Sequence, residues 1–156
     1  MTMSKKLREY LETQKVYFEP LHHGVAYTAS EVAGSQHVSG KEMLKTVMIK
    51  VDGKTMMCVV PAIYNLDFDK LKTILGAKKI ELCKEEESGK IFSDSELGAE
   101  PPIGSLYNIE MMAEEDIKDN DVVVFNAGSH TDTIKMKAKD YLGMTKPRFG
   151  HFGKHV

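Results

Sequence analysis

The period of the apolar positions changes several times along the chain, and each change predicts an element. Leu7, Tyr10 and Leu11 recur at helical spacing, with Ser4 placed as a cap, so residues 4–15 read as a first helix. Val16-Tyr17-Phe18-Glu19-Pro20 reads as a strand closed by proline. Thr28 followed by Glu31 forms a capping box at the start of a helix over 28–33, kept short by Gly34 and Gly40. The runs 44–51 and 55–60 flank Asp52-Gly53-Lys54, the clearest hairpin signal here, and predict two antiparallel neighbours.

Beyond Pro61, Leu66-Asp67-Phe68-Asp69-Lys70-Leu71 opens a helix that runs to about Leu75 and stops at Gly76. Ile80-Glu81-Leu82 is a short strand, and Glu85 to Glu87 begin a small helix whose charges are a solvated face. Gly98-Ala99-Glu100-Pro101-Pro102-Ile103-Gly104 is rich in turn formers and reads as a loop. A strand at 109–112, a helical turn at 114–117, a strand at 122–125 and its hairpin partner at 133–137 follow, with a last helix around 139–142. Short strands joined by hairpins, with helices between them, define an α+β protein whose mixed, largely antiparallel sheet is curved or barrel-like and flanked by helices.

With 156 residues, 42% of them hydrophobic, the chain has enough material for one core, and residues 1–156 are read as a single domain. Residues from about 143 to 156 read as a flexible tail. No apolar stretch approaches the roughly 20 residues of a membrane span, and the N-terminus lacks a secretory pattern, so the expected compartment is the cytoplasm. Cys58 and Cys83 stand alone, which suits two ordinary thiols in a reducing setting. The methionines at 43, 48, 56, 57, 111 and 112 read as adaptable core fillers.

The net charge of −2 is unevenly spread: residues 81–121 carry 3 basic and 13 acidic groups, whereas residues 135–156 carry 6 and 1. That excludes an indiscriminate nucleic-acid binder, which needs many clustered cations. A local basic face remains, because Lys135, Lys137 and Lys139 alternate and would project together from an extended segment.

Two polar groups sit where a strand would deliver them. Lys45 heads the apolar run Thr46-Val47-Met48-Ile49, and Asn126-Ala127-Gly128-Ser129-His130 follows the run Val122-Val123-Val124-Phe125. A charge beside buried strands is costly unless it is partnered or used, so these residues are candidates for one pocket. His151 and His155 are spaced i, i+4, but Gly150 and Gly153 argue against a helix there. No known ligand pattern surrounds them, and no metal is expected. His22, His23 and His37 read as structural or solvent-facing.

Five pieces in order, Tyr27-Thr28-Ala29-Ser30-Glu31-Val32-Ala33, His37-Val38-Ser39-Gly40, Leu44-Lys45-Thr46-Val47, Gly98-Ala99-Glu100-Pro101-Pro102 and Ala127-Gly128-Ser129-His130, resemble the YbaK and prolyl-tRNA-synthetase-associated editing domains. The resemblance runs from about Leu7 to Leu142. It implies a freestanding aminoacyl-tRNA deacylase and a six-to-seven-stranded, barrel-like mixed sheet surrounded by helices. It implies no cofactor. The expected partner is the 3′ end of an aminoacyl-tRNA, with an aminoacyl-tRNA synthetase as a further candidate. A noncatalytic module of the same fold that binds a tRNA end or another partner is the rival reading.

The resemblance also assigns roles. Lys45 matches the family's signature catalytic lysine, and an ammonium suits an activated ester that needs mainly its carbonyl fixed and its oxyanion stabilised. Gly98 and Pro102 match a glycine-proline loop whose backbone N–H groups would face a substrate oxygen. Gly128, Ser129 and His130 match an element that would line the amino-acid pocket, with His130 bonding substrate. The aspartate that some of these domains carry after the proline loop has no counterpart in Ile109-Glu110-Met111-Met112-Ala113-Glu114.

Overall fold

The structure is a computed structural model that describes residues 3–22 and 39–155. The helix read at 28–33, together with His23 and His37, lies outside the described residues. Helix α1 (Lys5–Thr13) starts where Ser4 Oγ accepts the Leu7 N–H at 3.2 Å, and it buries Leu7 and Leu11. The stripe legible in the sequence is therefore the face that meets the core.

The central hairpin is β2 (Leu44–Val51) and β3 (Lys54–Pro61), paired antiparallel from Leu44↔Pro61 to Val51↔Lys54. Its turn holds Asp52 at φ 49° and Gly53 at φ 88°, the two positive values that a tight two-residue hairpin turn demands. Alternation along β3 sends Met57 and Val59 into the larger apolar core and Met56, Cys58 and Val60 into the smaller one. Burial on both faces explains why the strand reads as an unbroken apolar run.

Strand β4 (Tyr64–Leu66) precedes α2 (Phe68–Leu75). The helix begins two residues later than expected because Asp67 is its cap, accepting the N–H groups of Asp69 and Lys70, and Gly76 ends it at φ 62°. Leu71 of α2 covers the smaller core. Next come β5 (Ile80–Leu82), α3 (Glu85–Ile91), a 3₁₀ turn at Gly104–Tyr107 and β6 (Met111–Glu114). A second 3₁₀ turn, Glu115–Asp119, leads to β7 (Val122–Ser129), β8 (Asp132–Lys137) and α4 (Ala138–Thr145). The chain finishes with β9 (Arg148–Gly150) and β10 (Gly153–His155).

Among the described residues these strands form three sheets, ordered β5-β2-β3-β6-β9, β1-β8-β7 and β10-β4, where β1 is Phe18–His22. The architecture is the mixed α+β one expected, without closure into a barrel. A parallel bridge, Met43↔Val124, and the Val124 N–H to Glu42 O bond of 2.9 Å join the first two sheets. Pro20 lies within β1 rather than closing it, which an edge strand tolerates.

The expected tail differs from the structure. Strand β9 pairs in parallel with β6, β10 pairs with β4, and Phe152 between them is fully buried. The anchor is Glu114, 1% exposed, whose carboxylate accepts the N–H groups of Phe152 (2.9 Å) and Gly153 (2.6 Å) and contacts His151 Nδ1 at 3.1 Å. Lys139 sits in α4, so it does not continue the strand face of Lys135 and Lys137. No helix among the described residues is long and apolar enough to cross a membrane.

Candidate functional site

The glycine-proline loop and the end of β7 are knitted together. Strand β7 shifts register between Asn126 and Ser129, and Gly128 in that bulge has φ 96°. Its N–H donates to Ala99 O at 3.0 Å, and its carbonyl accepts the Glu96 N–H at 2.8 Å. His130, 6% exposed, follows, and its Nε2 is 2.7 Å from Leu97 O. Because a carbonyl only accepts, that ring nitrogen carries the proton. Ser129 Oγ donates to Asp132 at 2.5 Å, closing the turn into β8.

The loop itself is fixed from several sides. Gly98 has φ 87°, and its N–H donates to the Glu100 carboxylate at 2.5 Å. The backbone donor expected to face a substrate oxygen is thus occupied by the loop's own side chain. Burial pushes the Glu100 carboxyl above its usual range, against the lowering effect of the backbone N–H groups around it. Thr46 Oγ1 donates to Glu100 O at 2.9 Å, and Tyr141 OH donates to Pro102 O at 2.5 Å. Gly98, Pro102, Gly128, Ser129 and His130 therefore belong to one assembly.

Lys45 reaches it only through its neighbour. Successive strand residues face opposite ways, and Thr46 points to the loop. Leu44 and Met48 share the Thr46 face and pack in the larger core, whereas Lys45 shares the opposite face with Val47 and Ile49. The Lys45 ammonium donates to Asn65 Oδ1 at 3.3 Å and borders a hollow of about 280 Å³ lined also by Val47, Leu66, Phe68 and Leu82. Desolvation lowers its pKa from the ordinary lysine value. A cation partly stripped of water at the edge of an apolar hollow is suited to an anionic or strongly polarised oxygen.

Two polar side chains escaped the sequence reading. Asn126 is 7% exposed and Thr133 is fully buried; they are partners across β7 and β8, and neither Oδ1 nor Oγ1 has a hydrogen-bond partner among the described residues. Val123, Phe125, Ile134 and Met136 occupy the larger core, so Asn126 and Thr133 leave the other face. The bridge at Met43 and Val124 puts that face in line with the Lys45 side of β2. The sequence signal was available: an asparagine directly after four apolar strand residues.

Among the described residues, Glu114, Asp116 and His151 offer ligand atoms within 4.8 Å of one another. Glu114 is committed to Phe152 and Gly153, and Asp116 accepts the Tyr64 hydroxyl at 2.5 Å, so the group serves to hold the last two strands.

Residues 23–144 match the family described as aminoacyl-tRNA editing domain, and the chain belongs to that family. Relatives include the proline–tRNA ligase of Bacillus subtilis (strain 168), 28% identical over 118 residues that make up 72% of this chain and 20% of the ligase. The proline–tRNA ligase of Bacillus mycoides (strain KBAB4) is 29% identical over 84 residues, 54% of this chain and 15% of that one. The chain thus spans a fifth or less of the length of these ligases. Among solved structures, hypothetical protein APE2540 superposes with a TM-score of 0.86 at 18% identity, covering 96% of this chain and 100% of that one. A candidate trans-editing enzyme for prolyl tRNA synthetase gives 0.82 at 18% identity, covering 98% and 99%. At that identity both likenesses establish the fold.

Proposed function

We propose that this protein is a freestanding deacylase that hydrolyses the ester between a wrongly attached small amino acid and the 3′-terminal ribose of a tRNA, with tRNA(Pro) as the first candidate. Membership of the editing family supports the class of reaction. The observation that carries the assignment is the desolvated Lys45 ammonium at the mouth of the apolar hollow. In this reading Lys45 donates to the ester carbonyl and stabilises the oxyanion as water adds to the carbonyl carbon. The bond to the ribose oxygen then breaks. Water supplies the oxygen of the released amino acid and the proton of the restored hydroxyl, so no covalent nucleophile is required.

His130 takes a positioning role, because its Nε2–H is committed to Leu97 O and so ties the loop to the end of β7. Gly98 and Gly128 supply the positive φ values that the loop and the bulge need, Pro102 anchors the loop to Tyr141, and Ser129 closes the turn from β7 into β8. A synthetase partner that lends tRNA affinity fits a chain whose net charge is −2.

The test is a deacylation assay with Ala-, Ser-, Cys- and 2-aminobutyryl-tRNA, including tRNA(Pro). Wild-type protein is expected to hydrolyse at least one of them, and Lys45→Ala, shown folded by circular dichroism, to lose roughly a hundredfold or more in kcat. Undiminished hydrolysis in the variant removes Lys45 from the mechanism. Binding of a tRNA end by wild-type protein with no hydrolysis establishes the noncatalytic module instead.

A further inference from the structure

Asn126 Oδ1, an acceptor, and Thr133 Oγ1, a hydroxyl able to accept or donate, are enclosed on paired residues of β7 and β8 without a hydrogen-bond partner among the described residues. Leaving a buried polar group unpaired costs about 1–3 kcal/mol, so such pairs call for a physical reason. Their strand neighbours Val123, Phe125, Ile134 and Met136 fill the larger apolar core on the opposite face, so the pair itself takes no part in that core. The pair lies at the start of the β7 bulge that carries Gly128, Ser129 and His130, on the face that β2 shares through Lys45.

Resting on the deacylase reading above, we propose that Asn126, with Thr133 behind it, accepts hydrogen bonds from the free α-ammonium of the aminoacyl group. The count of donors selects this group. Near the ester carbonyl an aminoacyl-tRNA offers the vicinal ribose hydroxyl, which donates once, and the α-ammonium, which donates up to three times. Two neighbouring unpaired acceptors match the second. Placing the ammonium on β7 and the carbonyl toward Lys45 also orients the ester between two separate elements of the site. The substrate class narrows accordingly: tRNAs bearing an unblocked amino acid are hydrolysed, whereas N-acylated ones, such as peptidyl or formylated aminoacyl-tRNAs, are spared.

The experiment compares an aminoacyl-tRNA with its N-acetyl derivative, which has lost the charge and two of the three donors. A second pair, amide-linked 3′-aminoacylamino-adenosine with and without the acetyl group, reports binding without turnover. Wild-type protein is expected to favour the free amine by about tenfold or more, as a charge-assisted bond would give. Asn126→Ala is expected to abolish that preference. Thr133→Val, of the same shape, is expected to weaken it while raising Tm, because it removes an unpaired hydroxyl; a threonine held by an enclosed water would lose stability instead.

A preference that survives in both variants overturns the proposal. So does a fall in Tm for both with the preference intact, the result expected if an enclosed water bridges the two oxygens. Hydrolysis without discrimination overturns this inference and leaves the deacylase reading standing. Discrimination in binding without hydrolysis does the reverse, and neither binding nor turnover overturns both.

Discussion

Replacing Gly128 by alanine tests how tightly the β7 bulge is built. The residue sits at φ 96°, where an L-residue is strained, by analogy with the roughly 1–2 kcal/mol cost of left-handed backbone. An added Cβ would also lie 2.9 Å from Ser4 Cβ and 3.3 Å from both Ser4 N and Ser95 Oγ. Ser4 has little room to retreat. Its N–H donates to Ala127 O at 2.9 Å, its Oγ caps α1 through Leu7, and the same hydroxyl donates to Asp94. Losing such a cap costs about 1 kcal/mol, so strain and displacement together destabilise by roughly 2–4 kcal/mol. For a chain of this length that lowers Tm by roughly 5–15 °C. Thermal and urea unfolding followed by circular dichroism measure it, with amide exchange at the start of α1 expected to accelerate. A Tm within about 2 °C of wild type would refute the argument that the bulge and the helix cap constrain each other.

A contrasting glycine is Gly143 in α4, where an added Cβ meets no atom within 4 Å. Gly143→Ala is expected to stabilise by about 0.5–1 kcal/mol in the same unfolding experiment. Glu100→Gln addresses the half-buried carboxyl of the loop. Its pKa is raised on folding, so the native state holds the proton more tightly, and the ionised form weakens stability at neutral pH. The variant is therefore expected to be more stable than wild type at pH 7, with the advantage vanishing as pH falls through the ordinary glutamate range. An advantage that instead grows in acid would show the sign to be wrong.

Local chemistry made much of the fold readable. The β2–β3 hairpin followed from Asp52 and Gly53, whose positive φ values are the ones their residue types tolerate. The end of α2 followed from Gly76 and the cap of α1 from Ser4, because each acts within one turn of its own position. The C-terminal strands were not readable. β9 has three residues and gains its place from a parallel partner, β6, more than thirty positions earlier, while Glu114 binds backbone groups nearly forty positions later. No local period encodes such pairings. At the candidate site, the glycines of the loop and the bulge mark backbone geometry, and the two segments meet through the Gly128 N–H to Ala99 O and Glu96 N–H to Gly128 O bonds. The side chosen by Lys45 depends on the parity of β2 within the assembled sheets, and the unpaired state of Asn126 depends on what surrounds it; neither is a property of the residue itself.

The parity of β2 has a remote guardian. Lys45 and Thr46 are adjacent, yet one serves the hollow and the other the loop, so sliding the strand by a single position would exchange their duties and send an ammonium toward methionine and leucine. What forbids the slide is the tight turn at Asp52 and Gly53, at the far end of the hairpin. An inserted residue there would leave every candidate side chain present in the chain and still part Lys45 from its hollow at the opposite tip.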